Sequence, residues 1–66
     1  MVITLNGQPE NLDGSMTIRD LLEKKALEPD TVVVEVNLEI IDRDAFHETA
    51  IRDRDVIEIL RFVGGG

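Results

Sequence analysis

Cysteine is absent from this chain of 66 residues, which excludes a disulfide framework, a thiolate metal site and a cysteine nucleophile, and points to an intracellular address. Long apolar runs are absent as well. No stretch reaches the length needed to span a bilayer, and Met1 leads straight into an alternating pattern rather than into a basic segment and an apolar leader. The expectation is a soluble, cytoplasmic protein. Cations are scarce: seven Lys and Arg stand against fourteen Asp and Glu, for a net charge of −7. That balance repels nucleic acid phosphate and anionic membrane and steers the protein towards basic surfaces. Neither nucleic acid nor membrane is expected as a partner. Also missing are a Gly-rich phosphate loop between strand and helix, a paired nucleophile and base, and a cluster of side chains at metal-ligand spacing. The chain is therefore read as a non-enzyme, with no catalytic and no metal residues of its own.

What is present suits a small globular domain. Apolar residues make up 42% of the chain and the charges are scattered singly or in pairs, so disorder is not expected. At this length there is room for one domain, whose folding buries about 60% of the surface that the unfolded chain exposes.

Val2-Ile3-Thr4-Leu5-Asn6 alternates, with Ile3 and Leu5 on one face, and Asn6-Gly7 is a strong hairpin signal because both residues accept positive φ. The returning strand, Gln8 to Asp13, contains Pro9, which confines it to an edge and keeps it short. After an Asp13-Gly14-Ser15 turn, Thr17-Ile18-Arg19-Asp20 resembles a capping box. Helix should begin near Ile18 and stop before Pro29, with Ile18, Leu21, Leu22 and Ala26 on its apolar face. Two and a half turns of helix, roughly, cannot stand alone and must pack on a sheet. Thr31-Val32-Val33-Val34-Glu35-Val36 is a β-branched strand with Val32, Val34 and Val36 on one face. Leu38 to Ile41 reads as a short strand, and Asp42 to Phe46 as a turn that delivers Phe46 to the core. Asp53-Arg54-Asp55 is a tight turn that launches the last strand, Val56 to Val63. Strand, strand, helix, strand, short strand, strand is an α+β order. Its economical solution is a β-grasp: a mixed sheet of four to five strands wrapped around one helix, with the first and last strands adjacent at its centre.

That last strand is apolar on both faces. Ile57 and Ile59 share one side with Val63 beyond them, while Val56, Glu58, Leu60 and Phe62 take the other. One helix covers one face, so Leu60 and Phe62 are candidates for an exposed docking patch, in preference to Phe62 folding over an edge of the core. The strand runs directly into Gly64-Gly65-Gly66, which hold three of the five glycines. A run without side chains adds nothing to a core and is costly to order. It passes where bulkier chain collides, so Gly64 and Gly65 are read as threading residues and the α-carboxylate of Gly66 as the reactive group. The division expected is a domain over 1–63 and a flexible glycine tail over 64–66.

Other constellations have simpler readings. His47, the single histidine, stands in a polar turn and is read as solvated. Asp42 with Asp44, and Asp53 with Asp55, each bracket an arginine in a turn where aspartate serves local hydrogen bonding. Lys24 and Lys25 are helix-end cations.

With the element order and the terminal glycines, the chain resembles the ubiquitin-like sulfur carriers, nearest to those of thiamine biosynthesis. The residues that carry the resemblance are Asn6-Gly7, Thr17 to Leu22, Val34 to Asn37 with Ile41 and Arg43, Asp55 to Glu58, and Val63 to Gly66. The internal motifs are shared among β-grasp families, and the diglycine end is the more specific. One departure is Arg54, where such carriers usually have glycine. The resemblance implies a carrier whose Gly66 carboxylate is adenylated by an E1-like adenylating enzyme using ATP and magnesium, with no cofactor bound to the carrier itself. A persulfide donor then supplies sulfur to form a thiocarboxylate, which passes it to the thiazole ring at a thiazole synthase. The small subunit of molybdopterin synthase, which has the same tail, and a noncovalent β-grasp interaction module are the alternative readings.

Overall fold

A computed structural model describes residues 1–62. The glycines Gly64, Gly65 and Gly66, and Val63 at the expected domain boundary, lie outside the described residues. Five strands form one sheet: β1 (Val2–Leu5), β2 (Gln8–Asn11), β3 (Val32–Val36), β4 (Glu39–Ile41) and β5 (Val56–Arg61), in the order β2-β1-β5-β3-β4. β1 and β5 run parallel at the centre, and every other pairing is antiparallel. The one α-helix among the described residues, α1 (Ile18–Lys24), covers one face. This is the β-grasp arrangement expected from the element order.

Local chemistry explains most of the boundaries. Asn6 and Gly7 take φ of 49° and 80°, the positive pair that a two-residue hairpin needs to match strand twist. Pro9 sits on the edge strand β2, where a missing amide donor costs no ladder bond. Thr17 and Asp20 complete a reciprocal capping box, Thr17 Oγ1 accepting from the Asp20 N–H at 3.1 Å and Asp20 Oδ2 accepting from the Thr17 N–H at 2.9 Å. Ile18, Leu21 and Leu22 are buried against Ile3, Val34, Ile57 and Ile59 from the sheet. Phe46 reaches the same core from a 3₁₀ turn over Arg43–Ala45.

α1 ends earlier than its apolar spacing implies. Helix stops at Lys24, and Ala26 lies beyond it, exposed, with φ of 58°. The Ala26 N–H donates to the Glu23 carbonyl at 3.0 Å and the Leu27 N–H to the Leu22 carbonyl at 2.8 Å. Together these bonds make a Schellman C-cap with alanine in the left-handed position usually held by glycine. Leu27, not Ala26, packs on the core; its burial offsets the strain at the residue before it. Left-handed alanine carries a Cβ penalty that glycine avoids, partly set against glycine's greater chain entropy. Ala26→Gly is accordingly expected to stabilise the fold by about 0.5–1 kcal/mol, a rise of a few degrees in Tm by thermal melt. A lower Tm would show that the methyl group contributes packing that outweighs the strain.

β4 likewise starts later than read, at Glu39, and Leu38 belongs to the turn. Asn37 and Leu38 take φ of 52° and 73°, a second two-residue hairpin with Val36 paired to Glu39. Asn37 decides this. Its N–H donates to the Val56 carbonyl at 2.8 Å, its Oδ1 accepts from the Val56 N–H and its Nδ2 donates to Asp55 Oδ1, both at 3.0 Å. With Asn37 held so firmly to the start of β5, the tight reversal falls on Leu38, which is 88% exposed.

The turn before β5 is clasped in the same way. Arg54 takes φ of 71°, the left-handed geometry for which glycine is the usual residue. Its N–H donates to the Val2 carbonyl, while Asp53 Oδ1 accepts from the Val2 N–H, each at 2.7 Å. Buried Asp55 accepts from the Arg52 N–H at 2.8 Å as well as from Asn37. Asp53 and Asp55 serve local hydrogen bonding at the turn, as their place around Arg54 implied.

Candidate functional site

β5 is the strand from which the site is built, because it lies at the centre of the sheet and its last residues lead towards the glycines. Ile57 and Ile59 point into the core, and alternation sends Val56, Glu58 and Leu60 to the opposite face. The helix is on the other side, so this outer face has no covering layer among the described residues. Leu60 is 55% exposed and Phe62 49% exposed. Phe62 therefore does not fold over an edge of the core. Its N–H donates to the Thr31 carbonyl at 3.1 Å, which carries the β3–β5 ladder one step past the end of β5.

Leu60 stands directly opposite Val33 on β3, and Ile40 on β4 stands opposite Glu35. Ile40 is 67% exposed. The apolar surface is thus wider than Leu60 and Phe62, and Ile40 is a residue of it that sequence reasoning missed. It had only its place in a short apolar run to mark it, and which way it faced depended on where β4 began.

The hold on β5 has a second contributor that looked like turn chemistry alone. Asn6 Oδ1 accepts from the Ile59 N–H at 2.8 Å, and the Asn6 N–H donates to the Ile57 carbonyl at 2.9 Å. The side chain extends the parallel β1–β5 ladder beyond β1 and stiffens the strand just before its apolar end. His47 is exposed, beside a shallow cleft that Arg19 and Arg43 also line. Lys25 Nζ pairs with Glu10 Oε1 at 2.7 Å, and Lys24 is exposed. None of these lies on the outer face of the sheet.

An exposed apolar sheet face at the end of a central strand, on a helix-backed five-stranded sheet, defines a ubiquitin-like β-grasp protein. The model of the ThiS family matches residues 3–66, and the chain belongs to that family. It is 56% identical over 50 residues to the sulfur carrier protein ThiS of Bacillus subtilis, with 76% of each chain covered. It is 38% identical over its full 66 residues to a thiazole synthase of Paramagnetospirillum magneticum, of which it spans 20%. The crystal structure of the thiamine biosynthesis protein ThiS of Geobacter metallireducens matches with a TM-score of 0.84 at 40% identity, both chains covered in full. Among the described residues no helix is long and apolar enough to cross a membrane.

Proposed function

We propose that the chain is a sulfur carrier of thiamine biosynthesis, a substrate for other enzymes and not an enzyme itself, with the cargo on Gly66. The observation that carries this reading is the family match, which runs through the last residue and so includes the glycines. A carboxylate resists nucleophiles. Adenylation by an E1-like enzyme, with ATP and magnesium, replaces one oxygen's poor leaving ability by that of a phosphate ester. The outer sulfur of a persulfide donor can then attack the acyl carbon and expel AMP, and a thiol that cleaves the resulting acyl disulfide leaves the thiocarboxylate and a disulfide.

The partners follow in the same proposal. Leu60 and Phe62 form the docking patch for the activating enzyme, beside the strand end that leads to Gly64, Gly65 and Gly66. A thiazole synthase receives the sulfur. Support for that partner comes from sequence arrangement, since a stretch similar to this chain occupies a fifth of thiazole synthases from two bacteria. Cytoplasmic residence fits this set of partners.

A thiamine-requiring bacterial strain that lacks only its own sulfur carrier tests the reading. Expression of this chain is expected to restore growth without thiamine, and expression of a chain lacking Gly66 is expected to leave growth thiamine-dependent. Restored molybdopterin synthesis in a matching molybdopterin mutant, with no rescue of thiamine synthesis, would reassign the acceptor.

A further inference from the structure

We infer that the outer face of the sheet receives a cationic protein surface, and that Glu35 and Glu58 together take up a positive side chain from it. The inference rests on the proposed docking of the activating enzyme at Leu60 and Phe62 and names the chemistry of the surface that enzyme must present.

Glu35 and Glu58 are direct partners in the antiparallel β3–β5 register, so both carboxylates leave the same face with their Cβ atoms about 4.5–5.5 Å apart. Like charges placed directly across a strand pair destabilise it. Among the described residues neither glutamate is paired with a cation. Among the described residues the ion pairs are Arg19–Glu23, Lys25–Glu10 and Arg54–Asp53, and neither Glu35 nor Glu58 has a hydrogen-bonded side chain. The strand residues that alternate onto this face include no Lys or Arg, and Arg61 alternates to the other side.

The setting is also unusual for a solvated acid pair. Leu60 and Val33 face each other on one flank of the two glutamates, and Ile40 lies across from Glu35 on the other. Both glutamates are half-buried in this apolar frame. Solubility alone would be served by acids at the rim. A repulsive pair at the centre of the exposed apolar surface costs the free domain stability, and a bound cation would relieve it in a partly desolvated site where charge pairing is strong. Arginine fits best, because its planar fork can donate to two carboxylates at once.

Other occupants fit poorly. A second copy stacked face to face about a two-fold axis would bring four carboxylates together. Nucleic acid and anionic membrane would meet the same two negative charges, on a chain with a net charge of −7.

The test uses the full chain and its cognate adenylating enzyme, with Glu35→Gln, Glu58→Gln, the double variant and Leu60→Ala, each followed by binding titration at low and raised salt and by thermal melt. Removing either charge is expected to raise Tm by about 2–5 °C while weakening binding by about tenfold. In the double variant the salt dependence of binding should largely vanish. A purely structural glutamate would not move stability and affinity in opposite directions. Leu60→Ala is expected to weaken binding by about fivefold with little change in Tm. If Leu60→Ala binds like the wild type, the docking reading itself is wrong and this inference goes with it. If Leu60→Ala binds weakly but the glutamine variants bind as tightly as the wild type, or melt lower, docking stands and the cation site is overturned. A stable dimer of the free chain by sedimentation would overturn it too.

Discussion

Treated with its activating enzyme, ATP, magnesium, a persulfide donor and a thiol reductant, the protein is expected to gain about 16 Da, the difference between sulfur and oxygen, on the carboxyl-activation chemistry proposed for Gly66. The gain should map to the C-terminal peptide. Adding a single residue after Gly66 should abolish it, because the activated group must be the carboxylate at the end of a side-chain-free run, and an appended side chain alters both the group and the width of what must enter the adenylation site. Abolition is the largest effect expected of any change considered for this protein. Intact-mass measurement of the two chains side by side decides the matter. A shift that persists on the extended protein, or that maps to Lys24, Lys25 or another internal residue, would remove Gly66 from the role proposed for it.

The second large effect is expected at Gly65, whose substitution should act on the reaction and leave the fold alone. A β-branched side chain next to the reactive residue meets the walls of a confined channel and removes backbone conformations that glycine alone reaches freely. Misplacement of a reacting group by about 1 Å can cost on the order of a hundredfold in rate. Gly65→Val is therefore expected to slow adenylation about a hundredfold, with Gly65→Ala intermediate, as read by pyrophosphate release at saturating enzyme. Every core residue of the described structure precedes Phe62, so the melting temperature should not move. Wild-type adenylation by the valine variant would leave the glycine run without a threading role. A large loss of stability would show instead that the residues after Phe62 belong to the core.

Much of the sheet could be read in one dimension, because alternation and helical spacing are properties of short stretches. Val32, Val34 and Val36 announced their common face, Ile57 and Ile59 theirs, and Asn6-Gly7 the hairpin between β1 and β2. The positions that resisted reading are those held by residues far away in sequence. Leu12 and Ile51 are core residues in segments without regular spacing, where no periodicity exists to reveal them. Leu12 is drawn in by the bond from its N–H to the Met1 carbonyl, and Ile51 by that from its N–H to the Met16 carbonyl, both at 2.8 Å.

The site divides along the same line. That Leu60 and Phe62 would be left uncovered followed from counting one helix against a sheet with two faces, a constraint of composition and length. The negative charge, the missing cysteine and the glycine run were likewise properties of the sequence by itself, and the proposed carrier role draws on them. Tertiary structure alone decided that α1 would stop at Lys24 with Ala26 left-handed, since the burial of Leu27 outweighs helix propensity. It alone placed Leu38 in a turn, since the reach of Asn37 to Asp55 and Val56 is a contact between distant segments. It alone set Glu35 against Glu58 within an apolar frame. Strand register belongs to two strands at once, and no stretch of one strand contains it.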